Sequence, residues 1–147
     1  MSHRNTPLPL PPVASRNGQP GIYVVNSDAE FLEMIGDLLA DSQVTVSLEQ
    51  MHPDVAVTLD NLRLARPNLL LLDVIPFRPV AERLLDEIEA DPGLWQMSVI
   101  VASTSPAAAA QVAKAHPRLV RDILPKPFGL DEFYDTLSRH VAGIRRL

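Results

Sequence analysis

Three polar residues of this chain have types and settings that permit group-transfer chemistry. Asp73 closes the run Leu69-Leu70-Leu71-Leu72, Ser103 closes Val99-Ile100-Val101-Ala102 with Thr104 beside it, and Lys126 stands between Pro125 and Pro127. A carboxylate can attack a phosphoryl donor and form an acyl phosphate. A hydroxyl and an ammonium can hold the transferred oxygens, whose charge grows in the transition state. The three residues lie far apart along the chain, so only the fold can bring them together.

The segments that carry them alternate in hydrophobic period. Gly21 to Asn26 is short, apolar and β-branched, which predicts a buried strand. A helix follows with Phe31, Ile35, Leu38 and Leu39 on one face, and Ser27 with Glu30 forms a capping box at its start. Val44-Thr45-Val46 predicts a second short strand. Asp54 caps a helix carrying Val55, Leu59 and Leu62, which Arg66-Pro67 ends. The continuous apolar run into Asp73, bounded by Pro67 and Pro76, has the pattern of a central parallel strand. The next helix carries Val80, Leu84, Leu85 and Ile88 and closes at Asp91-Pro92-Gly93. Val99-Ile100-Val101 is a fourth strand, after which Ser105 caps and Pro106 opens an alanine-rich helix. Asp122 to Pro125 is a fifth strand, and a last helix sets Leu130, Phe133, Leu137, Val141 and Ile144 along one stripe. This alternation predicts a three-layer α/β domain, a five-stranded parallel sheet with helices on both faces. In such a sheet ligands bind beyond the carboxyl ends of the strands, where Asp73, Ser103 and Lys126 all fall.

Length and composition exclude other classes. The 147 residues make one domain of ordinary size. Met1 to Pro20 is expected to be a disordered tail, since it holds five of the 14 prolines and no acidic residue, and 21–147 is the folded part. A net charge of -5 argues against nucleic acid as a partner, and no helix-turn-helix remains once the strands and helices are assigned. The absence of cysteine removes disulfides and thiolate zinc sites. His3, His52, His116 and His140 share no ligand spacing. No apolar stretch approaches bilayer length and no signal peptide opens the chain, so a cytoplasmic protein without membrane contact is expected. The segment Asn26-Ser27-Asp28-Ala29-Glu30 after the first strand has no glycine with which to cradle a nucleotide phosphate. An enzyme on this architecture is therefore not expected.

Leu70-Leu71-Leu72-Asp73, Val99-Ile100-Val101-Ala102-Ser103 and Lys126-Pro127-Phe128, in this order and spacing, resemble the three signatures of response regulator receiver domains of two-component signalling. The likeness runs from Gly21 to Val141, and with no segment left for an output domain it is to a stand-alone receiver. It implies a (βα)5 flavodoxin-like fold. It also implies Asp73 as phospho-acceptor, Lys126 paired with Asp73 or with the phosphate, and Ser103, flanked by Thr104, as a phosphate-binding hydroxyl. The implied partners are a histidine kinase or phosphotransfer protein, an unidentified downstream protein, and a second copy docked on the face of the fourth helix, fifth strand and fifth helix.

The chain departs from the family pattern in three places. Receivers usually hold Mg2+ between the acceptor aspartate and two acids just after the first strand. Here those positions read Asn26 and Ser27, both neutral, and Asp28 is expected on the first turn of the helix. This degenerate pocket leaves Asp73 as the metal ligand and weakens Mg2+, which favours carboxylate oxygens. The loop after Asp73 holds Pro76, Phe77 and Pro79 and no glycine, and an aliphatic residue, Ile123, occupies the strand-five position that often carries a switching aromatic. The resemblance is thus to a divergent receiver with two candidate functions. One is phosphoryl acceptance on Asp73, read out through protein contacts in a phosphorelay. The other is a phosphorylation-independent pseudo-receiver that works as an interaction or dimerisation module.

Overall fold

A computed structural model describes residues 18–147. The proline-rich segment expected as a tail lies outside these residues except for its last three, of which Pro20 is already built into the domain: its carbonyl accepts the Thr45 amide at 2.9 Å. The elements run β1 (Gly21–Asn26), α1 (Ala29–Leu38), β2 (Thr45–Gln50), α2 (Val55–Ala65), β3 (Leu69–Asp73), α3 (Val80–Glu89), a 3-10 turn at Pro92–Leu94, β4 (Ser98–Ser103), α4 (Pro106–Ala115), β5 (Val120–Pro125) and α5 (Leu130–Ser138). All strand pairings are parallel, in the order β2-β1-β3-β4-β5.

Period-two alternation divides the core into two layers. Tyr23, Val25, Leu70, Leu72, Val99 and Val101 face α2, α3 and α4, meeting Leu59, Leu62, Leu84, Leu85, Ile88, Ala109 and Val112. Ile22, Val24, Leu69, Leu71, Ile100 and Ala102 face the other way, onto Ile35 and Leu38 of α1 and Phe133 and Leu137 of α5. β3 has neighbours on both edges and helices on both faces, and every residue in it is buried. That is why its sequence is a leucine run and not an alternation. The expected three-layer (βα)5 architecture is the one observed.

Several local expectations are corrected. The cap of α1 is Asp28 and not Ser27: its side chain accepts the Glu30 amide at 2.9 Å. Asn26 Oδ1 accepts the Asp28 amide at 2.8 Å, which sets the chain one residue further on before the helix begins, and Ser27 is left exposed. β2 runs on to Gln50, past the apolar triplet, because Glu49 is drawn inward by Tyr23, Thr58 and Asn61, all of which donate to its carboxylate. β5 begins two residues early, at Val120, beside Val99. α5 stops at Ser138, short of Val141 and Ile144, and Leu130 at its start is 57% exposed. Val141 and Ile144 still pack on the α1/α5 layer, because the chain turns back at Gly143, whose carbonyl accepts the Gln43 amide at 2.7 Å. The caps at Asp54 and Ser105 are as expected.

Candidate functional site

The strand ends place Asp73, Ser103 and Lys126 on one rim. Asp73 is the last residue of the central strand and is 4% exposed. Ser103 ends the adjacent strand and is 2% exposed. The Lys126 amide donates to the Ser103 carbonyl at 2.9 Å, so β4 fixes the point from which the lysine leaves β5, and the Lys126–Pro127 peptide is cis. The Lys126 ammonium then reaches Asp73 Oδ1 at 2.8 Å. It also lies 4.9 Å from the centre of the Phe31 ring on α1, a cation–π contact. Phe31 in turn meets Phe128 edge to face, and Phe128 stacks on Phe133. The other Asp73 oxygen receives no hydrogen bond among the described residues.

No hydrogen bond joins Ser103 to Asp73 among the described residues. The Ser103 hydroxyl donates to the Val74 carbonyl at 2.7 Å and accepts the Ser105 amide at 3.1 Å. With the Val74 amide on the Ala102 carbonyl at 2.8 Å, the loop after β3 is tied to β4 and to the start of α4. Thr104 is exposed, and Ser105 caps α4 through a bond from the Ala108 amide at 3.1 Å. Across the rim Asn26 is 2% exposed and its side-chain oxygen is taken by the Asp28 amide. Ser27 and Asp28 are both exposed, and Asp28 is occupied with Glu30 as the helix cap. In the loop after Asp73, Phe77 has a positive φ of 63° and a fully exposed ring. For a bulky side chain this backbone conformation is a genuine outlier.

This donor set does not fit a resident Mg2+. That ion takes six oxygens at near-octahedral positions and favours carboxylates. The rim offers Asp73, one of whose oxygens already faces an ammonium, an amide oxygen that already accepts a hydrogen bond, and a carboxylate turned to a helix end. Among the described residues no three His, Cys, Asp or Glu side chains gather as a metal site.

Reading the sequence alone missed two parts of this site. One is Phe31, which looked like an ordinary core residue because its helical spacing is that of the buried face. The other is the Ser103–Val74 bond, which joins a side chain to a backbone group and leaves no signature in residue types. Away from the rim, His116 sets Nδ1 2.5 Å from Glu89 and Nε2 3.1 Å from Asp86, and His140 meets Asp122 at 3.0 Å. Spacing along the chain predicted neither pairing, because in both the acid lies on another element.

A five-stranded parallel sheet in this order, with an aspartate ending β3 and a lysine after β5, is the receiver fold, and solved receiver domains superpose on it. The chemotaxis protein CheY4 of Vibrio cholerae aligns with a TM-score of 0.68 at 19% identity, over 84% of this chain and 99% of its own. The receiver domain of HemR from Leptospira biflexa aligns at 0.66 and 20% identity, over 88% and 99%. A protein from Burkholderia pseudomallei described as pilus assembly-related aligns at 0.64 and 20%, over 87% and 93%. No family model matches the sequence, and no curated protein matches it. At these identities the likeness defines the fold.

Proposed function

We propose that the chain is a receiver-type signalling module that acts through protein–protein contacts, and that its Asp73–Lys126 pair holds the rim in one state without phosphoryl transfer. The observation that carries this reading is the condition of the rim's polar groups. One Asp73 oxygen is engaged by Lys126, the Ser103 hydroxyl by the loop backbone, and the Asn26 oxygen, where the family usually has an acid, by the Asp28 amide. Phosphoryl transfer to a carboxylate brings anionic oxygens against an anion, and that charge needs neutralising. Here one ammonium faces the carboxylate, and no group of three acids or histidines gathers among the described residues to hold a second cation. Under this reading the domain works in the cytoplasm, binds a downstream protein or a second copy of itself, and is not an enzyme. No helix among the described residues is long and apolar enough to cross a membrane.

One observation favours the other function, a phosphorelay receiver supplied by a histidine kinase or phosphotransfer protein. Among the described residues no donor reaches the second Asp73 oxygen, which leaves it open to attack a phosphoryl group. Incubation with acetyl phosphate and Mg2+, followed by intact-mass measurement, separates the two. The proposal expects no adduct in the wild type with either Mg2+ or Mn2+. A single phosphate adduct that disappears in Asp73→Asn would establish the phosphorelay reading in its place.

A further inference from the structure

At the opposite rim of the sheet, where β4 and β5 begin, lies a recess of ≈ 140 Å³ lined by Glu89, Trp95, Arg118, Leu119 and Arg121. We propose that it is a binding site for a small oxyanion, a phosphate or carboxylate group held by the guanidinium groups of Arg118 and Arg121.

Both arginines are held in place, and the acid near them is shared with a histidine. Arg118 makes a cation–π contact with the Trp95 ring, its guanidinium carbon 5.4 Å from the ring centre. A guanidinium held over an aromatic ring can still turn N–H groups toward an anion. Trp95 is itself fixed, since its indole N–H donates to the Glu89 carbonyl at 2.9 Å. Arg121 donates through Nε to the Arg118 carbonyl at 3.1 Å, which anchors the side chain and spares its two terminal nitrogens. No ion pair engages Arg121 among the described residues. The one acid in the recess, Glu89, is directed elsewhere: Oε1 lies 2.5 Å from His116 Nδ1, and Oε2 is 3.9 Å from Arg118. Two guanidinium groups line one recess, that of Arg121 with its terminal nitrogens unpaired among the described residues, and a guanidinium offers N–H groups that match carboxylate and phosphate oxygens in pairs. The site owes nothing to Asp73 or Lys126, so it stands whichever way the acceptor question is settled.

Trp95 is the only tryptophan of the chain, so its emission reports on the recess directly. Sodium phosphate and sodium succinate are titrated separately against sodium chloride at equal ionic strength, with amide shifts of Leu119 to Arg121 as a second readout. Saturable changes with phosphate or succinate, absent with chloride, are expected, and the arm that saturates identifies the group. Arg121→Gln, an exposed change that leaves circular dichroism unaltered, should weaken the effect by about tenfold, the loss that accompanies removal of a charged hydrogen-bonding partner. Glu89→Gln should strengthen it. The proposal is overturned if chloride reproduces the changes, if neither oxyanion saturates, or if Arg121→Gln binds as the wild type does.

Discussion

Replacing Lys126 by methionine keeps the aliphatic stem and deletes the ammonium. The Asp73 side chain is 5% exposed and that of Lys126 19%, so the variant leaves a carboxylate without its partner where water scarcely reaches. Removing one member of a buried pair costs about 3–5 kcal/mol, and the partial exposure of Lys126 points to the lower end. Loss of the Phe31 contact adds about 0.5–1 kcal/mol. For a domain of this size a loss of about 3 kcal/mol lowers Tm by about 10 °C. The informative experiment is a double-mutant cycle by urea unfolding with Lys126→Met, Asp73→Asn and both together. If the 2.8 Å ion pair is what each residue contributes, the double variant should recover much of the loss, with a coupling of about 1.5–3 kcal/mol. The coupling should survive high salt, because screening acts mainly on exposed charges. Additivity of the two single changes within about 0.5 kcal/mol would refute the claim that the pair holds the rim.

Gly143→Ala should destabilise the domain by about 1–3 kcal/mol in urea unfolding: Gly143 has φ 91°, and an added Cβ would lie 2.6 Å from the Gln43 carbonyl oxygen. Phe77→Gly should raise stability by about 0.5–1 kcal/mol despite removing an aromatic ring, because the ring is fully exposed and the backbone φ of 63° favours glycine. Burial pushes the Asp122 carboxyl up, but hydrogen bonds from His140 and Arg139 and from the Ile123 amide hold it below its ordinary value. Its contribution is therefore fully present above the unfolded-state value of about 3.9 and fades as pH falls through the lower folded-state value. Asp122→Asn should flatten the acid limb of a plot of stability against pH, and an unchanged limb would show that these bonds contribute nothing.

What could be read from the sequence followed from burial. Leu69 to Asp73 announced a central strand because helices cover both its faces, and the Ser105-Pro106 start of α4 was legible because an N-cap is a contact within a few residues. The capping box at Ser27 failed for a local reason with a distant consequence: the Asn26 side chain took the Asp28 amide and moved the helix start on by one residue. β2 was underestimated because Glu49 reads as a surface residue until Tyr23, Thr58 and Asn61 are known to surround its carboxylate. At the rim, residue types told where Asp73, Ser103 and Lys126 would stand but not what they would bond. The orientation of Ser103 depends on a backbone carbonyl one residue past Asp73, and no pattern of residue types encodes it.

The Asp73–Lys126 pair also changes what a signature of this kind can be taken to mean. Deleting either charge leaves the other in a poorly hydrated place, so removing one alone is costly whatever the rim binds. Asn26 carries no such constraint: as a neutral amide it satisfies its own buried oxygen with the Asp28 amide and asks nothing of Asp73. An acid at that position would instead bring a second negative charge to the rim, tolerable with a cation nearby and costly without one. Inside the rim the Asp73 carboxylate faces the Lys126 ammonium, while the Asp28 carboxylate is exposed and turned to the start of α1. Asn26→Asp tests this directly. It should destabilise the domain in chelator, and added Mg2+ should restore the loss only if the rim can still close around a cation.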